Sequence, residues 1–286
     1  MGVRVAGEEK EGMRMEKDLF EIYETPQLQT PSLIVAWQTQ DVGKLGSKVI
    51  DFLKEKLMGR EMGEIKPLGF FSFGGVRFKE DLVQVPESKF WVCEKNHLLL
   101  FKSDEPEFGH YKFLNALLNF AERHFKVKEL YTLNGTISLV PHTRPRRVLT
   151  VYNRPEIKNR LKGYELEDMT WEGPPAINSY LLWVARRKGV SGVSLWPEIP
   201  FYLAPREDPQ AIKITLSFLN RRFDLGLDLG GFDLEIKDQN ERIARLRRKN
   251  AEIDQYLNLL ESGGRLDEEG QLKLAQEVYE LLGKEE

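Results

Sequence analysis

An α/β domain, with helices on both faces of a mostly parallel sheet, is predicted by three features of this 286-residue sequence. Short apolar runs alternate with segments of helical period, the pattern of repeated strand and helix units. The first unit, residues 32–57, joins a continuous apolar run to an amphipathic helix through a polar loop, the opening half of a βαβ crossover. The last, at Asp208-Pro209, sets an N-cap and a first-turn proline before another helical stripe. A hairpin region inserted into this pattern and a C-terminal helical hairpin complete the expected architecture.

Taken in order, Ser32, Leu33, Ile34, Val35, Ala36 and Trp37 form a run suited to a strand buried on both faces. Asp41 is the expected N-cap of the next helix, Val42, Leu45, Val49, Phe52, Leu53 and Leu57 its inward stripe, and Gly59 its C-terminal cap. Between residues 70 and 102 the period shortens. Gly74-Gly75 separates two runs there, and Lys95-Asn96 is expected to turn a hairpin joining residues 90–93 to 98–101. Helical spacing returns over 111–125, followed by a strand at 130–133, a basic loop at 142–147 and a strand through Val148 and Val151. A helix over about 176–188, capped by Gly189, precedes a strand at 190–195; Ile212, Leu216, Leu219 and Phe223 stripe the helix after Asp208.

Composition shifts after Gly231. Ile236, Ile243, Leu246, Asn250, Ile253, Leu257 and Leu260 fall on one heptad, with Asn250 at a core position where an amide can fix register. Ser262-Gly263-Gly264 ends that helix and Asp267 starts a second, striped by Leu272, Ala275, Val278 and Leu282. The expected division is a disordered tail over 1–17, an α/β domain over 18–231 and a helical hairpin or coiled extension over 232–286, paired within the chain or between chains.

Hydrophobic residues make up 41% of the chain and charged residues 30%, with a formal net charge of -3, so no global field favours nucleic acid or anionic lipid. Cys93 is the only cysteine, which excludes an internal disulfide and a cysteine cluster. No run of roughly 18 apolar residues exists to span a bilayer, and residues 1–17 carry no apolar core of a secretory signal. A cytoplasmic location is expected.

No set of residues spells out a reaction. Gly43-Lys44 at the first strand-to-helix turn occupies a usual ligand position but lacks both the G-x-x-x-x-G-K-[ST] cradle and the G-x-G-x-x-G fingerprint, so Gly46 is read as permitting close helix–sheet packing. His142, Arg144 and Arg146, stiffened by Pro141 and Pro145, are the other ligand candidates, since arginine forks suit phosphate or carboxylate; solvated or structurally bonded arginines are the plainer alternative. The four histidines show no H-x-x-x-H spacing, and no metal or cofactor is expected. Trp171, Trp196, Pro197, Pro200 and Tyr202 concentrate aromatic and proline surface, suited either to an interface or to covering the end of the sheet. Ile243, Leu246, Asn250 and Ile253 are the interface candidates of the heptad.

Long composite stretches carry a resemblance: DLFEIYETPQLQTPSLIVAW, DVGKLGSKVIDFL, PHTRP, WEGPPAINSYLLWVARRKGV and SLWPEIPFYL running to DP. From Asp18 to about Leu229 the chain resembles the proteasome assembly chaperone 2 (PAC2) family, as a prokaryotic member. The resemblance implies a three-layer α/β/α domain similar to the purine nucleoside phosphorylase fold, a homo-oligomer, and a non-enzymatic scaffold or chaperone for proteasome α subunits or another assembling complex. It supplies no catalytic residue. Proteins that dock into α-ring pockets often end in a hydrophobic-Tyr-any tripeptide, whereas here Val278-Tyr279-Glu280 is internal. The alternative expectation is a binder of, or enzyme for, a nucleoside or phosphorylated metabolite.

Overall fold

The computed structural model describes residues 19–24, 26–72, 77–79, 81–173 and 176–283. The tail expected over 1–17, the Gly74-Gly75 separator and Pro174-Pro175 lie outside the described residues. Along the chain run β1 (Phe20–Ile22), β2 (Ser32–Trp37), α1 (Leu45–Lys56), β3 (Arg60–Ile65), β4 (Arg77–Lys79), β5 (Leu82–Gln84), β6 (Ser88–Cys93), β7 (Leu98–Ser103) and α2 (His110–Phe125). There follow β8 (Glu129–Leu133), β9 (Thr136–Ser138), β10 (Val148–Tyr152), α3 (Pro155–Arg160), β11 (Leu166–Asp168), α4 (Ile177–Arg187), β12 (Ser191–Pro200) and α5 (Pro209–Phe223). Three further helices close the chain: α6 (Gly231–Lys249), α7 (Ala251–Glu261) and α8 (Glu268–Gly283).

The main sheet has the order β1-β3-β6-β7-β2-β8-β12-β10-β11, with β9 on β12. Its centre, β7-β2-β8-β12, is parallel, while β1, β3 and β6 extend one side in antiparallel fashion and β10 runs antiparallel to β12. The sheet is therefore mixed. The inserted hairpin is part of it, because β7 pairs with β2 over the full length from Ser32↔Leu98 to Trp37↔Ser103. The β6–β7 turn falls at Glu94–Asn96, as expected from Lys95-Asn96.

Strand alternation explains the three layers. Ile34, Ala36, Leu98, Leu100, Tyr131 and Leu133 face one core with α1, α3, α5 and the C-terminal helices. Leu33, Val35, Leu99, Phe101 and Leu130 face the other, with α2 and α4. Cys93 is sealed in the first core, and burial pushes its thiol up to about 12, so it stays protonated and unreactive.

The first strand-to-helix turn differs from the expected one. The helix starts at Leu45 rather than at Val42, because Gly43 (φ 65) and Lys44 (φ 49) both adopt left-handed conformations. Asp41 still caps it: its carboxylate accepts from the Gly46 and Ser47 amides, each at 2.8 Å. A side chain at Gly46 would lie 2.9 Å from the Ala36 Cβ, so the close packing expected of Gly46 is what the geometry requires. No helix among the described residues is long and apolar enough to cross a membrane.

Candidate functional site

Chain topology places a crevice at one end of the sheet. The chain leaves β2 for strands on its β7 side and leaves β8 for strands on its β12 side, so the carboxyl ends of neighbouring β2 and β8 flank a topological switch point. A cleft of about 850 Å³ opens there, walled by Trp37, Trp171, Trp196 and Ile177, with Glu105 and Asn134 among its polar groups. Gly135 lets the β8 loop close on the first turn: a Cβ at this position would come within 2.7 Å of the Val42 carbonyl oxygen and 2.5 Å of Ile199.

Much of the cleft's floor is fixed by hydrogen bonds. The Trp37 indole donates to Asn178 Oδ1 at 2.7 Å inside the core. The Glu105 amide donates to Thr39 Oγ1 at 3.1 Å, and Thr39 donates to Asp104 at 3.3 Å. Trp196 is only 8% exposed, and its indole N–H is buried without an acceptor among the described residues. Burial raises the Glu105 carboxyl above the ordinary carboxylate range, with His110 pulling the other way. The first turn of α4 enters the cleft at Ala176 and Ile177, and no side chain caps it.

A second feature lies on the α2–α4 layer. Tyr111 is 49% exposed and Trp183 46% exposed; with Tyr180 they form a ring cluster at centroid distances of 5.7–6.3 Å. Arg187 stacks over Trp183 at 4.6 Å, and exposed Phe108 precedes α2. Solvent-facing Tyr, Trp and Arg in one patch is the composition of an interface anchor.

The ligand candidates of the basic loop converge on one buried carboxylate. Arg146 Nε donates to Asp208 Oδ2 at 2.8 Å, with both side chains essentially inaccessible, while its other nitrogen donates to the Arg144 carbonyl at 2.9 Å. Asp208 Oδ1 accepts from Gln210 and Ala211 at 3.1 Å as the N-cap of α5, and the Asp208 amide donates to the Gly43 carbonyl. Gly43 is thus buried in the same joint. Lys44 points instead to Glu207 at 3.7 Å, beside a separate 360 Å³ hollow, and Arg144 donates to the Glu261 carbonyl at 3.1 Å. These residues brace the loop against α5 and α7.

His142 belongs to the same joint. The Tyr202 hydroxyl accepts from the His142 amide at 2.7 Å and lies 3.0 Å from its Nδ1. Burial lowers the imidazole pKa to about 4, with Arg146 also opposing its charge. The folded state therefore holds His142 neutral where the unfolded chain would protonate it. The contribution of His142 to stability is complete above about pH 6.5 and falls by roughly 3 kcal/mol as pH drops toward 4, levelling off below. Urea unfolding between pH 4 and 7 checks this, and His142→Asn should flatten the slope.

The other predicted sites are rearranged more strongly. β12 runs on to Pro200, so Trp196, Pro197, Pro200 and Tyr202 are buried inside this chain, and the expected aromatic-proline surface is reduced to Trp171, 47% exposed. Ile243 and Ile253 are sealed and Leu246 half-buried against this chain's own core. Asn250 is not a heptad core residue: the helix breaks there, and its side chain accepts from Glu252 and Ile253 as the N-cap of α7. The C-terminal segment is consequently three helices, all packed on the domain. Sequence reasoning passed over Glu105, Asn178, Tyr111 and Trp183; the signal for the last was a tryptophan on the polar side of an amphipathic helix.

The fold and its two surface features define a three-layer α/β/α protein with a strand-end cleft and an exposed aromatic face. The PAC2 family model matches residues 35–247, and the chain belongs to the PAC2 family. Solved structures share the fold. A protein of unknown function from Corynebacterium glutamicum is similar at 20% identity over 86% of this chain and 96% of its own, with a TM-score of 0.73. PbaB of Pyrococcus furiosus, an archaeal proteasome activator, is similar at 21% identity over 80% and 98%, with a TM-score of 0.65. A Mycobacterium tuberculosis proteasome-assembly chaperone homologue follows at 17% identity over 79% and 99%, with a TM-score of 0.67. None of the curated proteins matches the chain.

Proposed function

We propose that this chain is a non-enzymatic assembly chaperone or scaffold of the PAC2 type, working in the cytoplasm as a homo-oligomer. Its client is a subunit of an assembling complex, with proteasome α subunits the first choice. Family membership and the names borne by the similar structures support the assembly role. The observation that carries it on this chain is the Tyr111–Tyr180–Trp183 face with Arg187 stacked on it. Rigid aromatic surface can shield the matching apolar surface of an unassembled subunit at small entropic cost.

The paired substitution Tyr111→Ser and Trp183→Ser tests this. Both side chains are half exposed, so stability should shift by only about 0.5 kcal/mol each. Client capture from native lysate, read by mass spectrometry of the co-eluting proteins, should drop at least about tenfold. Retention of every stoichiometric partner by the double variant would remove this face from the function.

A further inference from the structure

The α2–α4 face carries a charge opposite to that of the whole chain. α2 and α4 hold Lys112, Arg123, Arg186 and Arg187 against a single acid, Glu122, whereas the chain has a formal net charge of -3. Elsewhere on the surface Arg60 and Arg147 each hold two carboxylates. Lys112, Arg186 and Arg187 are exposed and form no ion pair among the described residues; Lys112 lies over Phe70 and Arg187 over Trp183. The helix dipole accounts for Arg186 and Arg187, in the last turn of α4, but not for Lys112. That residue stands in the first turn of α2, where acids are favoured, and neither helix has an acid in its first turn. The two helices run side by side in the same direction, since Tyr111 meets Tyr180 and Trp183 while Asn119, further along α2, accepts from Lys188. Exposed rings thus sit between Lys112 near one end and Arg186 and Arg187 at the other.

We propose that the client segment seated on this face is an acidic amphipathic helix, a reading that rests on the assembly role above. Its aliphatic side chains cover Tyr111, Tyr180 and Trp183, and its carboxylates face Lys112, Arg186 and Arg187. An acidic segment satisfies cations that this chain leaves without carboxylates, while a basic one meets like charge. From Tyr180 to Arg187 the face spans about 10 Å, two turns of a facing helix. It is built of side chains from two helices and offers no sheet edge. An extended segment would therefore hold its backbone amides over apolar rings without partners, whereas a helix satisfies its own. Nucleic acid suits the face less well. Arg187 already covers one side of Trp183, and the three rings meet at interplanar angles of 24–60°, so they do not form a flat platform for successive bases.

The test uses the full chain with synthetic helix-forming peptides of about 18 residues, leucine on one face and glutamate, glutamine or lysine on the other, beside an oligouridylate. Binding is read from the Trp183 indole resonance in a heteronuclear NMR spectrum. The glutamate peptide should move it saturably below about 1 mM and bind at least about tenfold more tightly than the glutamine peptide. Its affinity should fall about three- to tenfold between about 0.05 and about 0.5 M salt. Arg186→Glu with Arg187→Glu should weaken it at least about tenfold and make the lysine peptide the better ligand. Lys112→Glu places an acid where the helix dipole favours one, so it keeps the test valid should the double reversal disturb α4; it should weaken the glutamate peptide about fivefold. No saturable shift of Trp183, equal affinity for the glutamate and glutamine peptides, or tighter binding of the oligouridylate would each overturn the proposal. The assembly role fails separately. A client complex that survives Tyr111→Ser with Trp183→Ser removes that role, whereas one lost with this pair but unchanged by Lys112→Glu and by salt removes only the acidic helix.

Discussion

Deleting residues 232–286 is expected to destroy the fold and leave an aggregated fragment, rather than release an intact α/β domain of altered oligomer mass. Ile243, Ile253, Leu257, Leu260, Leu274 and Val278 are sealed in the same core cluster as Tyr202, Leu203 and Ile212. Each contributes about 1.5–3 kcal/mol by burial, so six together rival the ~5–15 kcal/mol that holds a typical domain folded. The cut would also strip cover from Tyr202, whose hydroxyl organises His142. Circular dichroism and size-exclusion chromatography of the 1–231 fragment check this. A monomeric fragment with native secondary structure and cooperative melting would show that the C-terminal helices are an appendage.

The second large effect is expected from Arg146→Ala. Asp208 would keep its helix-capping bonds but lose Arg146, the charged partner of a fully buried carboxylate. Removing one member of a buried ion pair costs about 3–5 kcal/mol, because the surviving charge stays desolvated. The Arg144 carbonyl would lose its arginine donor in the same step, and the Pro141 carbonyl would keep only the Arg144 amide. Asp208→Asn should cost less, since an amide oxygen can still cap α5. A double-mutant cycle by urea denaturation should return a coupling of several kcal/mol, on the order of 3. A coupling near zero would contradict the structural role given to this loop.

How much was legible in the sequence varied with the physics of each segment. The run Ser32–Trp37 and the Asp208-Pro209 entry were readable because burial on both faces and N-capping leave local signatures. β12 was cut short at Leu195 because Pro197 and Pro200 signal a loop. In the fold, the Glu198 amide bonds to Arg147 on the β10 side, so the Pro197 nitrogen faces the other edge, in the gap between β8 and β9. Asn250 was misassigned because apolar spacing continues through it. The better signal was chemical: Arg247, Arg248 and Lys249 before it and Glu252 and Asp254 after it, the charges that suit a helix end and a helix start.

Of the cleft, only Trp171 and Trp196 were legible, as aromatic residues suited to covering the end of the sheet. Its walls come from the ends of β2, β8 and β12 and from the segments at Glu105 and Trp171, which only the strand order brings together. The basic loop drew attention for its charge, yet Arg146 spends that charge on Asp208 inside the protein. Sequence alone does not distinguish an arginine that waits for a phosphate from one that already holds a carboxylate.

Native mass spectrometry of the purified chain mixed with proteasome α-type subunits of its source organism tests the central claim most directly. The assembly account predicts a defined complex of chain and α subunits below full-ring size, lost with Tyr111→Ser and Trp183→Ser. Free α subunits beside an unliganded chain, at every mixing ratio, would contradict it.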